Sequence, residues 1–319
     1  MAYRTLGKTA LSVSPLCLGG NVFGWTANEQ QSFAVLDAYI EGGGNFIDTA
    51  DTYSAWLPGH VGGESESILG RWMSARNNRS RVILATKVGS RMSTAPDAYG
   101  LSRRYILEEV EASLRRLQTD YIDLYLAHRD DTETPLEETL AAFDTLVRQG
   151  KVRPIGASNY SATRMREALH ISDQHGYARY TCFQPPYNLM NRTVYEGELQ
   201  ALCLEEGLGV MTYSSLASGF LSGKYRPGTT LPSSPRAKGI EGRYMHEQGF
   251  RVLETLDQMA ATHSATASQV ALAWILTQPG ITSAIASATS VQQVRELLGA
   301  IEVSLREEDI QSLNRVSTS

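Results

Sequence analysis

The sequence predicts an α/β fold, a closed (β/α)8 TIM barrel with an N-terminal β-hairpin and extra C-terminal helices. Short apolar runs typical of buried parallel strands alternate along the chain with segments of helical spacing. No Pro-, Gly- or Ser-rich linker interrupts this alternation. A doubly wound dinucleotide-binding sheet would require G-x-G-x-x-G after its first strand, and this chain has no such motif there. We therefore expect residues 1–319 to form a single domain.

The strands and helices of this barrel can be placed from local patterns. A helix is predicted over 102–117, and a second over 135–151, opened by Pro135 and closed by Gly150. The glycines at 42–44 precede a strand, so they indicate the end of a helix. The candidate strands are residues 15–19, 45–49, 82–87, 121–128, 152–158, 180–184, 209–214 and 281–287.

Composition limits the partners that we expect. The net charge is −5, the pI is about 5.8, and no basic cluster indicates nucleic acid or an acidic membrane as a partner. The three cysteines have no metal-type spacing, so we interpret them as buried thiols. We see neither a signal peptide nor an apolar run of about 20 residues, so we expect a cytoplasmic protein with a small-molecule partner. The sequence leaves the oligomeric state open.

Polar residues fall at the ends of the predicted strands. Asp48, Lys87 and His128 end the second, third and fourth strands. Each alone has an ordinary structural explanation, such as a turn cap, a solvated strand end or a core histidine. In a barrel, however, the carboxyl ends of all strands meet at one mouth, where active sites are built. The later strands add Ser158, Asn159, Gln184 and Tyr213 to the same mouth.

Three of these polar residues, together with Tyr53 just after the second strand, suggest proton-transfer chemistry. Asp48, Tyr53, Lys87 and His128 include no set of metal ligands and no nucleophile elbow. Asp48 would hold Lys87 as a cation, and this cation would lower the tyrosine pKa from about 10 toward neutrality. His128 would then orient a substrate oxygen. Such a site suits an oxygen that becomes negatively charged, as a carbonyl does when hydride is added to it.

The chain resembles the aldo-keto reductases over almost its whole length, including the branch of potassium-channel β subunits. The stretches that carry the resemblance are FIDTADTYS, ATKVG, YIDLYLAHR, GKVRPIGASNY, TYSSLASGFLSGKY and ASATSVQQVRELLGAIEVSL. The resemblance implies NAD(P)H bound across the mouth, with Tyr53 as general acid, Asp48 and Lys87 tuning it and His128 orienting the carbonyl. It also implies that Ser158, Asn159 and Gln184 bind the carboxamide, that Tyr213 stacks on the nicotinamide, and that Ser214, Leu216, Ser218 and Lys224 line the pyrophosphate path.

The sequence departs from the family pattern near the last strand. Where many members carry Lys or Arg for the adenosine 2′-phosphate, this chain has the uncharged Ser287, Thr289 and Gln293. Arg295 lies nearby and can substitute for the missing cation, and Leu297 stands where Asn is usual. We expect NADPH as the cofactor, with NADH as the open alternative.

The substrate is less defined by the sequence. Trp25 and Trp56 are placed to wall an apolar slot, although either can instead pack under a loop. Arg129, with Asp130 and Asp131, is expected to face the mouth and to select polar substrates. The long segment after Gly219, residues 220–244, is polar and turn-rich and is predicted to be a loop over the cofactor.

Two other functions remain open at this stage. One is a cofactor-binding regulatory subunit of the same fold that turns over poorly. The other is a barrel lyase that uses Lys87 as a Schiff base, which the neighbouring Tyr53 and His128 disfavour.

Overall fold

The apolar runs pair side by side as parallel strands and close into an eight-stranded barrel. The computed structural model describes residues 1–93 and 98–318 and confirms the predicted (β/α)8 fold. All eight predicted strands are present and differ from the prediction only at their ends. The barrel strands are β3 (Leu16–Gly19), β4 (Phe46–Asp48), β5 (Ile83–Val88), β6 (Leu124–Ala127), β7 (Ile155–Ser158), β8 (Tyr180–Gln184), β9 (Gly209–Thr212) and β10 (Ile281–Ala286), and β10 pairs with β3 to close the ring.

A short antiparallel hairpin precedes the barrel, as predicted. It consists of β1 (Arg4–Thr5) and β2 (Ser12–Val13). Leu6 is fully buried and joins Val13 in an apolar cluster with side chains of the barrel strands. At the turn, Gly7 has φ +53°, and a Cβ there would lie 2.3 Å from the backbone nitrogen of Gly209, where β9 begins. The hairpin therefore closes the amino-terminal end of the barrel.

Helices lie between the strands and end where the sequence punctuation indicates. The predicted helix over 102–117 begins after Ser102, whose side chain accepts a hydrogen bond from the backbone of Tyr105. Gly42 caps the first helix, as the glycine run predicts. The α-helices of the described residues are α1 (Glu29–Glu41), α2 (Glu64–Arg76), α3 (Arg103–Leu117), α4 (Leu136–Arg148), α5 (Ala162–His175), α6 (Glu198–Glu206), α7 (Ala237–Tyr244), α8 (Glu247–His263), α9 (Ala267–Thr277), α10 (Val291–Leu298) and α11 (Glu307–Ser317).

The long connection after β9 is more ordered than the sequence predicts. Residues 217–222 form 3-10 turns, and the last part of the predicted loop is the helix α7. Across residues 1–93 and 98–318, no helix combines the length and apolar character that a membrane span needs.

Candidate active site

A hydrogen-bonded group of three side chains lies at the carboxyl ends of β4 and β5. Asp48 is the last residue of β4, and Lys87 stands near the end of the neighbouring β5. The Lys87 Nζ donates to Asp48 Oδ2 at 2.8 Å, to the Thr49 carbonyl at 2.8 Å and to the Tyr53 hydroxyl at 2.9 Å. These three acceptors use all three N–H donors of Lys87, which is fully buried. The tyrosine is therefore held directly against a buried ammonium group.

The protonation of Tyr53 differs from the prediction. Its hydroxyl donates to Asp48 Oδ2 at 3.2 Å. Burial, then the negative charge of Asp48 and this hydrogen bond, raises the pKa of Tyr53 well above its ordinary value. The expected fall toward neutrality is wrong, because it counted the cation of Lys87 and left out burial and the carboxylate. Tyr53 consequently keeps its proton at neutral pH.

His128 follows β6 directly and approaches the edge of Tyr53, with ring centroids 6.1 Å apart. Burial, then the charges of Lys87 and Arg129, lowers the pKa of His128 well below its ordinary value. Its carbonyl accepts a hydrogen bond from the Asn159 amide at 2.9 Å. Within the described residues, its buried Nδ1 has no hydrogen-bond partner. The imidazole is therefore neutral and carries one N–H donor.

The residues expected at the carboxamide connect this group to β7, β8 and β9. The Ser158 hydroxyl donates to the carbonyl of Gln184 at 2.8 Å, and Gln184 Nε2 donates to Asp48 Oδ1 at 2.8 Å. Asn159 adopts the left-handed region with φ 60°, and its Oδ1 accepts from the Tyr213 hydroxyl at 2.7 Å. Side-chain hydrogen bonds thus join the ends of β7, β8 and β9 to Asp48 at the end of β4.

A cavity of about 1090 Å³ opens beside these residues. It is large enough for a dinucleotide-sized ligand. The Arg129 side chain is exposed next to His128. Of the residues predicted from the sequence, those that line the cavity are Trp25, Asp48, Tyr53, Trp56, Tyr213, Ser214, Leu216, Ser218, Lys224, Ser287, Thr289 and Gln293.

Sequence reasoning missed one functional candidate in this cavity, Arg236. It lies at the N-terminal end of α7, and its guanidinium packs over the Trp25 ring at 4.7 Å. Its buried Nη2 has no hydrogen-bond partner among the described residues. Burial, then the charge of Arg236, lowers the pKa of the neighbouring Lys224. The second cation of the cavity is therefore Arg236, whereas Arg295 is an exposed residue of α10.

Two tryptophans form an aromatic wall next to Tyr53. Trp25 and Trp56 meet edge to face with ring centroids 5.4 Å apart, and Trp56 lies 6.3 Å from Tyr53. Trp56 is 49% exposed, so it borders the cavity and is not packed under a loop. The wall leaves apolar surface available to a ligand.

The acidic pair after Arg129 contacts other parts of the protein. Asp130 forms an ion pair with Arg164 at 2.8 Å. Asp131 accepts a hydrogen bond from the Leu101 backbone at 2.7 Å and others from the turn that follows it. Of the three residues, Arg129 has the most exposed side chain, and all three stay candidates for substrate binding.

The described residues contain no group of three or more His, Cys, Asp or Glu side chains placed to hold a metal ion. Cys17, Cys182 and Cys203 are free and buried. Burial raises the pKa of each thiol. This leaves them unreactive as nucleophiles near neutral pH.

Comparison with known proteins identifies the family of this chain. The profile described as the aldo/keto reductase family matches residues 15–318. An uncharacterized oxidoreductase of Bacillus subtilis (strain 168), YrpG, is 36% identical, over 99% of this chain and 96% of its own length. A probable voltage-gated potassium channel subunit beta of Arabidopsis thaliana is 33% identical, over 95% of this chain and 92% of its own. The chain belongs to the aldo/keto reductase family, whose members are oxidoreductases that generally use nicotinamide cofactors.

Proposed function

We propose that this protein reduces an aldehyde or ketone to an alcohol with NADPH, and that Tyr53 is the general acid. The observation that carries the proposal is the buried contact of Lys87 with both Asp48 and Tyr53 at the edge of a ligand-sized cavity. A protonated phenol beside a fixed ammonium group is suited to giving a proton to an oxygen that gains negative charge.

The cavity has the donors that a phosphate-bearing cofactor needs. Lys224 and Arg236 line it, and the Arg236 Nη2 has no partner among the described residues. An unpaired buried guanidinium is costly, and a phosphate is its preferred partner. Ser287, Thr289 and Gln293 add uncharged polar groups. We propose that these groups bind the phosphates, and that the additional cation favours NADPH over NADH.

Each residue around the reacting carbonyl then has a defined role. A bound nicotinamide cofactor supplies the hydride. Tyr53 donates its proton to the substrate oxygen, and the phenolate that remains is stabilised by Lys87 Nζ at 2.9 Å. Asp48 holds Lys87 in place through their 2.8 Å contact. The neutral His128 donates its single N–H to the same oxygen and orients it.

The remaining predicted residues are assigned to binding in this proposal. Trp25 and Trp56 contact an apolar or aromatic part of the substrate, and Arg129 contacts its polar end. The residues assigned to the cofactor are Ser158, Asn159 and Gln184 at the carboxamide, Tyr213 against the ring, and Ser214, Leu216 and Ser218 along the phosphates.

The direct test is NADPH oxidation with aromatic aldehydes, diketones and keto-sugars, with NADH measured in parallel. We expect turnover with at least one carbonyl, and a higher kcat/KM for NADPH than for NADH. In Tyr53→Phe, kcat should fall by about 10²–10⁴-fold while the Kd for NADPH stays within twofold, because only the proton donor is removed. Loss of NADPH binding in this variant would contradict the assignment. A tenfold preference for NADH would contradict the cofactor choice.

A second candidate, a cofactor-binding subunit with little turnover, is favoured by one comparison. The Arabidopsis thaliana relative is named as a probable subunit of a potassium channel and matches almost the whole chain. A channel-type subunit predicts tight NADPH binding with no turnover of any carbonyl in the panel. Turnover that depends on Tyr53 distinguishes the reductase from this alternative.

A further inference from the structure

Asp51 lies between Asp48 and Tyr53 in the chain and is fully buried. Its backbone nitrogen donates to the carbonyl of Lys87 at 3.3 Å. Its Oδ1 accepts from the backbone nitrogen of Thr52 at 2.6 Å. The first contact attaches the turn that carries Tyr53 to the end of β5, and the second fixes the backbone within the turn itself. Asp51 is therefore part of the support for the tyrosine, although it does not contact the reacting atoms.

The buried side chain of Asp51 interacts electrostatically with a cluster of three charged side chains, Glu66, Glu109 and Arg116. On α2, Glu66 Oε1 accepts from the Thr86 hydroxyl at 2.6 Å, and its Oε2 accepts from Arg116 Nε at 2.6 Å. Arg116, on α3, also forms an ion pair with Glu109 of the same helix. The single guanidinium is thus shared by two glutamates.

Of these three carboxyl groups, that of Asp51 is the one without an ion-pair partner among the described residues. Its Oδ2 is buried and has no hydrogen-bond partner there, and the same is true of the Tyr125 hydroxyl contributed by β6. Burial, followed by the charges of Glu66 and Glu109, raises the pKa of Asp51 well above its ordinary value. Three ionised carboxylates around Arg116 would leave a net charge of about −2 in an apolar interior, which is strongly unfavourable.

We propose that Asp51 is a positioning residue, held as a neutral carboxylic acid, that fixes the turn carrying the proton donor Tyr53. The kinetic part of this inference rests on the proposed reductase function. The protonation part stands on the cluster alone.

A neutral Asp51 makes the free energy of unfolding depend on pH in a predictable direction. In the unfolded chain an aspartate loses its proton near pH 4, whereas the folded protein keeps this one. Its folded pKa is raised, so its contribution to stability is fully present below the unfolded pKa and is lost as the pH rises toward the folded pKa. Asparagine mimics the neutral acid and does not titrate. Relative to Asp51→Asn, the wild type should lose tenfold in its folding equilibrium constant per pH unit above pH 5, or about 1.4 kcal/mol.

Urea unfolding of the wild type and Asp51→Asn at pH 5, 6, 7 and 8 tests the protonation. The control is Asp37→Asn, because a hydrogen bond from Arg76 lowers the pKa of Asp37 below its ordinary value and no histidine contacts it among the described residues. Asp37 is ionised in both states over this range, so its variant should be destabilised by the same amount at every pH. If the difference in the free energy of unfolding between the wild type and Asp51→Asn is the same at every pH, Asp51 is not held as a neutral acid.

Kinetics test the positioning role. Asp51→Leu removes the acceptor for the Thr52 nitrogen, so kcat should fall at least tenfold while the Kd for NADPH stays within twofold. Asp51→Asn keeps an oxygen acceptor and should restore most of that loss. Equal loss in both variants, or no loss in Asp51→Leu, would overturn the positioning role. If the wild type reduces no carbonyl, the proposed function fails, and the unfolding series still decides the protonation of Asp51.

Discussion

At the residue scale, burial and not the lysine alone determines the chemistry of Tyr53. Lys87 stabilises the phenolate once it forms, but burial and Asp48 keep the phenol protonated before that. His128 has the opposite shift, because burial and the nearby cations keep it uncharged. A proton donor and a neutral hydrogen-bond donor are therefore available over the same pH range.

These two shifts predict a flat pH profile for carbonyl reduction. Below its raised pKa Tyr53 carries the proton that it donates, and above its lowered pKa His128 is neutral. We expect kcat to change less than threefold between pH 6 and pH 9, measured at saturating substrate and NADPH. A loss of activity below about pH 6.5, the ordinary histidine value, that disappears in His128→Gln would contradict this.

The positions of these residues could be predicted from the sequence, but their electrostatics could not. Asp48 and Lys87 directly end apolar runs, so topology alone brings them to one mouth. The direction of the Tyr53 pKa shift depends on burial and on the 3.2 Å hydrogen bond to the charged Asp48. Neither quantity is contained in residue order.

At the element scale, α7 brings the cavity beside Tyr53 a cation that sequence reasoning did not find. The helix has eight residues, and two of them are glycines, Gly239 and Gly242, which disfavour helix formation. The apolar residues of α7 therefore show no clear helical spacing, and the sequence predicts this segment as a loop. What places Arg236 is the packing of Ile240 and Tyr244 against the protein core.

Two arginines at opposite ends of α7 provide a matched test. Arg236 lines the cavity with an unpaired guanidinium nitrogen, whereas Arg243, near the other end of α7, is exposed. We expect Arg236→Met to raise the Kd for NADPH by about 10–100-fold, as loss of a charge-assisted hydrogen bond does. Arg243→Met should leave it within twofold. Fluorescence titration measures both, and equal effects would show that Arg236 acts only through the stability of α7.

At the scale of the whole molecule, the barrel has one closed end. The turn and strands of the hairpin place Leu6, Leu11 and Val13 against inward-facing strand residues. The sequence predicts the hairpin as an addition, but not that it fills the barrel. That depends on the close approach of Gly7 to Gly209, which only two glycines allow.

Loss of this packing should lower the free energy of unfolding of the whole protein. Leu6→Ala opens a cavity in a fully buried site, so we expect a loss of about 2–5 kcal/mol in the free energy of unfolding. Leu204, which is 51% exposed on α6, is the matched control, and its alanine variant should lose less than about 1 kcal/mol. Urea unfolding measures both. Equal losses would mean that the hairpin contributes no core.

The Trp25 ring gives the two ligands that we propose for this cavity a common wall. The Arg236 guanidinium packs over the face of the Trp25 indole, and Trp56, next to Tyr53, contacts the same indole edge to face. A phosphate that draws the guanidinium toward itself therefore also changes the support of the slot that receives the carbonyl. The affinities of cofactor and substrate are then linked, and by thermodynamic reciprocity each ligand alters the affinity of the other by the same factor.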